Sequence, residues 1–173
     1  MNCLLATGRA LPCKDSVGGV QKIYFCDYGT LGALTISNGV LTSIAGTPDI
    51  FEYDVKDTSN LEQTITSSAE NGTTFYEQSI TLGLHKLDVE TQVELQTLIV
   101  ARPHAFVLDN NGNYLAVGLT RGCDVTGGTI STGTALGDTS GYSLTITGRE
   151  PLMAMFTAST VITNNLDTTM IEP

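Results

Sequence analysis

His85 and His104 are the only two histidines in the chain, and so its only side chains with an ordinary pKa close to neutrality. Each stands at a break in pattern, one just before a helical stretch and one just after it. Nucleophilic catalysis needs such a base within reach of a Ser or Cys, and no G-x-S-x-G elbow supplies one. No GxxxxGK[ST] loop cradles a phosphate either, and Gly127, Gly128 and Gly133 do not follow the GxGxxG spacing. Those glycines read as bulges and turns, and both histidines read as structural.

Carboxylates are plentiful: Glu52, Asp54 and Asp57 form one group and Asp88, Glu90 and Glu94 another. Glu90 and Glu94 stand four apart on the polar side of a helix, the pattern of a solvated face. Asp109-Asn110-Asn111-Gly112-Asn113 carries the oxygen ligands of a calcium loop. Its glycine, however, stands at the fourth place instead of the sixth, and Thr120 stands where a bidentate Glu belongs. A hairpin turn accounts for it. The four cysteines, Cys3, Cys13, Cys26 and Cys123, form no C-x-x-C pair and are far from the histidines, which gives no zinc pattern. The reading is of a non-enzymatic chain with no cofactor and no metal.

Composition narrows the class further. Charged residues are 15% of the 173 and net charge is −10, with eight basic residues scattered along the chain. A basic footprint for gripping nucleic acid is therefore missing, and Trp is absent from any stacking platform. The opening MNCLLATGRALPCKD does not read as a secretion signal, and no stretch approaches the roughly 20 apolar residues of a membrane span. Reduced cysteines in the cytoplasm where the chain is made are the expectation.

The elements that must position these groups are mostly strands. Asp88 to about Ala101 reads as the one helix, with Asp88 as N-cap and Arg102-Pro103 as the stop. Periodicity gives it a broad apolar face of Val89, Val93, Leu95, Ile99 and Val100, with Leu98 to one side, and that face includes Gln92 and Gln96. Val20 to Tyr28 alternates with apolar groups on both sides, which implies burial on two faces or a face between subunits. Leu34 to Ser37 and Val40 to Ile44 form a weak hairpin about Asn38-Gly39. Ile50 to Lys56 is a half-buried strand. Leu61 to Leu84 forms an extended hairpin with a polar distal part, directing Tyr76, Gln78, Ile80, Leu82 and Leu84 inward. His104 to Leu108 and Tyr114 to Leu119 flank the Asp109 loop, and Cys123 to Thr132 and Tyr142 to Arg149 close the pattern, with Tyr142, Leu144 and Ile146 inward.

The fold class is mainly β (α+β): an antiparallel barrel or sandwich of about eight strands flanked by one helix. The chain divides into a single domain over residues 1–150, with an N-terminal arm over 1–19, and an apolar C-terminal extension over 151–173. Three features suit assembly: glutamines on an apolar helix face, a strand apolar on both sides, and an overhanging polar hairpin. The interface residues this suggests are Leu61 and Gln63 at the hairpin root, Glu70 and Asn71 at its tip, Gln92 and Gln96 on the helix, and Leu152, Met155 and Phe156 beyond Pro151.

The strand, helix, hairpin and closing-strand succession resembles the tail tube proteins of long-tailed bacteriophages and the related neck and baseplate rings. The carriers are the strand Thr73 to Leu84, the helix ending at Ala101, the loop Asp109 to Asn113 and the closing GDTSGYSLTITGRE. The opening TGRALPCKDSVGGVQKIYF is also similar to that of structural proteins from phages of Bacteroidetes and aquatic bacteria. The resemblance covers roughly residues 1–150. It implies hexameric rings stacked into a tube, contacts with other tail or neck proteins, and passage of double-stranded DNA without specific binding. The location it implies is the virion, after assembly in the bacterial host cytoplasm. The alternative from another class is a monomeric β-sandwich binding module, which requires exposed aromatics on one face.

Overall fold

A computed structural model describes residues 7–55 and 58–169. Cys3, Lys56 and Asp57 lie outside the described residues. Eleven strands and two helices are described: β1 (Val20–Cys26), β2 (Leu34–Ser37), β3 (Val40–Ile44), β4 (Phe51–Asp54), β5 (Asn60–Ser68), β6 (Thr73–His85), α1 (Val89–Val100), β7 (His104–Asp109), β8 (Tyr114–Val117), β9 (Asp124–Ser131), β10 (Gly141–Glu150), β11 (Met155–Thr157) and α2 (Ser159–Thr163). They form a seven-stranded sheet, β2-β3-β11-β8-β7-β1-β4, and a four-stranded sheet, β5-β6-β10-β9. Neither sheet closes on itself, so of the two expected architectures the sandwich is the one adopted.

β1 explains the arrangement. Ile23 and Phe25 point into a core shared with Ile80, Leu82, Leu144 and Ile146 of the small sheet. Tyr24 and Cys26, pointing the other way, join Phe106, Leu41, Ile50 and Ile162 in a second core. The two-faced strand is thus buried on both sides within one chain. The weak hairpin β2–β3 and the segment after Pro151 supply much of that second cover. β11 lies inside the large sheet, parallel to β3 and antiparallel to β8, and Ile50 is bridged to Leu166. The short strands β2 and β3 of the weak hairpin, together with β11, bring the count from about eight to eleven, and α2 adds a second helix; periodicity could not place β11 because three residues hold no repeat.

The small sheet follows the sequence pattern closely. Leu61, Ile80, Ile146 and Val125 form one inward row and Leu82 and Leu144 begin the next. β6 and β5 run on past the end of β10, whose last partner is Tyr76, so the distal hairpin overhangs.

α1 departs from its expected orientation. Asp88 caps it, accepting from Thr91 N at 2.8 Å, but only Leu95 and Leu98 are buried. Val89, Val93, Ile99 and Val100 are exposed. At 100° per residue Val93 lies roughly 160° around the helix from Leu95, so the valine stripe faces directly away from the core. Leu95 and Leu98 instead join the first core with the side chains of both sheets, and Tyr53 donates to Glu94 at 3.2 Å.

Leu95→Ala is expected to cost about 2–5 kcal/mol in urea unfolding, whereas Val93→Ala should change stability by less than about 0.5 kcal/mol. Comparable losses at both positions would contradict this helix orientation.

Candidate functional site

Three of the five buried polar residues among those described, Gln78, His104 and Glu150, gather around the turn at residues 118–123. Gln78, on the inward side of β6, accepts from Gly118 N at 3.0 Å and donates to Leu152 O at 3.0 Å. Glu150, at the end of β10, accepts from Thr120 N at 3.0 Å and from Arg121 N at 2.7 Å. Gly118 has φ +65°, and a Cβ there would meet Cys123 sulfur and the Gly122 backbone, so only glycine fits. Gly148 lets Cys123 approach the small sheet at a position where a side chain would intrude.

His104 completes this cluster. Its Nε2 accepts from Gly29 N at 3.2 Å, which assigns Nδ1 as the protonated nitrogen donating to Gly118 O at 2.6 Å. Tyr28 stacks on the imidazole at 5.1 Å, and the Arg102 guanidinium sits 4.8 Å from the Tyr28 ring centre. Burial lowers the His104 pKa, with Arg102 adding to the effect, against the Gly118 carbonyl and Glu150, which raise it. Each ring nitrogen is already committed, so the group is structural, as is the sulfur of Cys123, whose thiol burial pushes up to about 12. His85 is exposed at the end of β6. Among the described residues no three His, Cys, Asp or Glu side chains are grouped to hold a metal ion.

The Asp109 loop is a hydrogen-bonded turn. Asp109 accepts from Asn111 N at 2.9 Å, Asn113 N at 2.7 Å and Asn113 Nδ2 at 2.9 Å, and these bonds hold its carboxyl below the usual range against the opposing effect of burial. Its other asparagines face the arm. Val17 N donates to Asn111 Oδ1 at 2.8 Å, Asn111 Nδ2 donates to Val17 O at 2.7 Å, and Asn110 Nδ2 donates to Gly18 O at 2.8 Å.

The residues suggested as interface fall into three places. Leu61 packs half-buried against the first core, and Gln63 accepts from Ala154 N at 2.8 Å, tying the hairpin root to the strap after Pro151. Leu152 and Phe156, exposed, lie on that strap and on β11, while Met155 packs half-buried against the second core. Glu70 and Asn71 are exposed at the hairpin tip, where Asn71 N donates to Ser68 Oγ at 3.3 Å. Gln92 and Gln96 are exposed on α1. Gln63 and Leu152 are thus brought together, and the helix and the tip stand apart from them.

Sequence reasoning passed over a fourth surface, the outer face of the small sheet. One row runs Glu62, Ser79, Thr147, Asp124 across all four strands; beside it lie Asn60, Thr81 and Thr145, and Thr64, Glu77 and Arg149. Arg149 donates to Glu77 at 2.8 Å, so its charge is paired. Thr126 and Thr147 hydroxyls lie 3.1 Å apart. The face is a carpet of hydroxyls with net negative charge, bordered by β5 and β9, which are the two edge strands of that sheet. Strict alternation along β6 and β10 was the signal that could have identified it.

Compared with protein-family models, curated proteins and solved structures, the chain matches none. Among the described residues no helix is long and apolar enough to cross a membrane.

His104 gives a pH prediction with a definite sign. Its folded pKa lies below the ordinary 6.5, so the unfolded chain binds the extra proton first on acidification. The contribution is fully present above about pH 6.5 and is lost as pH falls from there towards the folded value. Urea midpoints of the wild type should decline across that window, and His104→Gln, though less stable throughout, should show a flatter decline. Parallel profiles for the two proteins would contradict this assignment.

Proposed function

We propose that the chain is a structural subunit of a bacteriophage tail, forming hexameric rings that stack into a tube and conduct DNA. Neck and baseplate rings are the close relatives of this reading. The observation that carries it is the outer face of the small sheet, which is hydroxyl-rich, negatively charged and bounded by two edge strands. Lateral joining of such edges around an axis would turn that face into the wall of a channel. Duplex DNA carries one charge per about 1.7 Å of axis, so it would adhere to a basic wall and slide past this one. Glu62 and Asp124 are the acids assigned to the lumen, with Glu77 neutralised by Arg149.

The exposed hairpin tip and the strap carrying Leu152 and Phe156 are the natural contacts between copies, and no chemical step is required of any residue. A binding module would need a row of exposed aromatics; on the hydroxyl face only Phe75 is aromatic, and it is half-buried.

Light scattering during size-exclusion chromatography should find rings or longer assemblies as concentration rises to the order of 100 μM, and a strict monomer there would contradict the reading. For the channel wall, Glu62→Lys combined with Asp124→Lys should convert assemblies that ignore duplex DNA into ones that retain it, with strong salt dependence. Assemblies that remain indifferent to DNA after this reversal would remove the electrostatic part.

A further inference from the structure

Among the described residues, two exposed apolar features have no cover and suit each other. The first is the stripe Val89, Val93, Gln96 and Val100 of α1, spaced 4-3-4, the spacing of a seam that meets another segment. Val100 is 88% exposed, and Val93, Gln96, Thr97, Val100 and Ala101 form a shallow, open depression on the surface of α1, the α1 groove. The second is the N-terminal arm, exposed throughout residues 7–19, in which Leu11 is 98% exposed.

Their charges are opposite. Arg9 and Lys14 bracket Leu11 and Pro12, with Asp15 following, whereas the helix carries Asp88, Glu90 and Glu94 and no basic residue up to Val100. Glu90 flanks the stripe, roughly 60° around the helix from Val93.

Their positions are opposite too. The arm is anchored at Val17 and Gly18 to Asn110 and Asn111, beyond the Asp109 end of β7. The groove ends at Ala101, three residues before β7 begins at His104. β7 has six residues, so about 20 Å of strand separates the two ends, and copies arranged head to tail present one feature to the other.

We propose that the part of the arm beyond this anchor, within residues 8–16 of one copy, lies in the α1 groove of the next, with Leu11 against Val93 and Val100 and the basic residues beside Glu90. The proposal deepens the assembly reading and rests on it for the presence of a second copy. A contact of this kind is heterologous, the kind that closes rings or propagates a stack. It leaves the outer face of the small sheet untouched.

The test is a charge-exchange cycle in the full chain, read by sedimentation velocity, with circular dichroism and thermal melting confirming the fold of each variant. Lys14→Glu and Glu90→Lys should each raise the concentration needed for assembly roughly tenfold, and the two together should restore most of it. Leu11→Asp and Val93→Asp should each weaken assembly in chains that remain folded. A fluorescent peptide of residues 7–18, with Ser in place of Cys13, should bind the wild-type chain and not the Val93→Asp chain. Assembly that withstands all four substitutions would overturn the groove proposal while leaving the ring reading in place. A wild-type monomer that nevertheless binds the peptide would support the groove and sink the ring; failure of the peptide to bind at millimolar concentration would overturn the groove.

Discussion

The large sheet must be covered twice. β1 and β7 carry large apolar side chains on both faces, Ile23, Phe25 and Val107 on one and Tyr24, Phe106 and Leu108 on the other, and all are buried. Leaving either set in water would cost about 1.5–3 kcal/mol for each large side chain. The small sheet and α1 satisfy the first face. The second is covered by the β2–β3 hairpin, the loop carrying Leu31, and the C-terminal run through β11 and α2, all of it short structure that stands only because the sheet beneath requires it.

The two sheets meet through polar contacts at one end, and those contacts set which surfaces remain free. Gln78, Glu150 and His104 bond Gly118, Thr120 and Arg121 of the turn at residues 118–123, and no described buried side-chain polar atom lacks a partner. A buried carboxylate with two backbone donors is tolerable, and one without them is not. This pins β10 against the turn, so that alternate residues of β6 and β10 point out as hydroxyls and acids. The two-faced strand therefore needs no neighbour. The case for assembly rests instead on the open edges, the overhanging hairpin and the valine stripe.

Alternation was legible wherever a strand has one wet face. Gln78, Ile80 and Leu82, and Tyr142, Leu144 and Ile146, are inward as their period of two dictates. The Asp109 turn was legible from residues that accept positive φ, and Gly112 has φ +83°. The helix's existence was legible from its cap and its proline stop, but its rotation was not. Val89, Val93 and Val100 cluster on one side of the helix and Leu95, Leu98 and Ile99 on the other, so periodicity offers two apolar faces and only the tertiary packing of Leu95 and Leu98 decides between them. β11 was illegible for a different reason: Met155, Phe156 and Thr157 acquire strand character from β3 and β8, which are distant in sequence. The bonding of His104 and Glu150 was equally hidden, since each partner lies in a turn about fourteen to seventy-five residues away.

The central claim is that the edges of the small sheet are completed by other copies of the chain. Hydrogen exchange of the backbone amides of β5 and β9, followed from dilute to concentrated protein, tests it most directly. The account predicts rapid exchange at the outward-facing amides of both strands in dilute solution, with protection rising in step with assembled mass. Large assemblies in which those amides exchange as fast as in the monomer would contradict it.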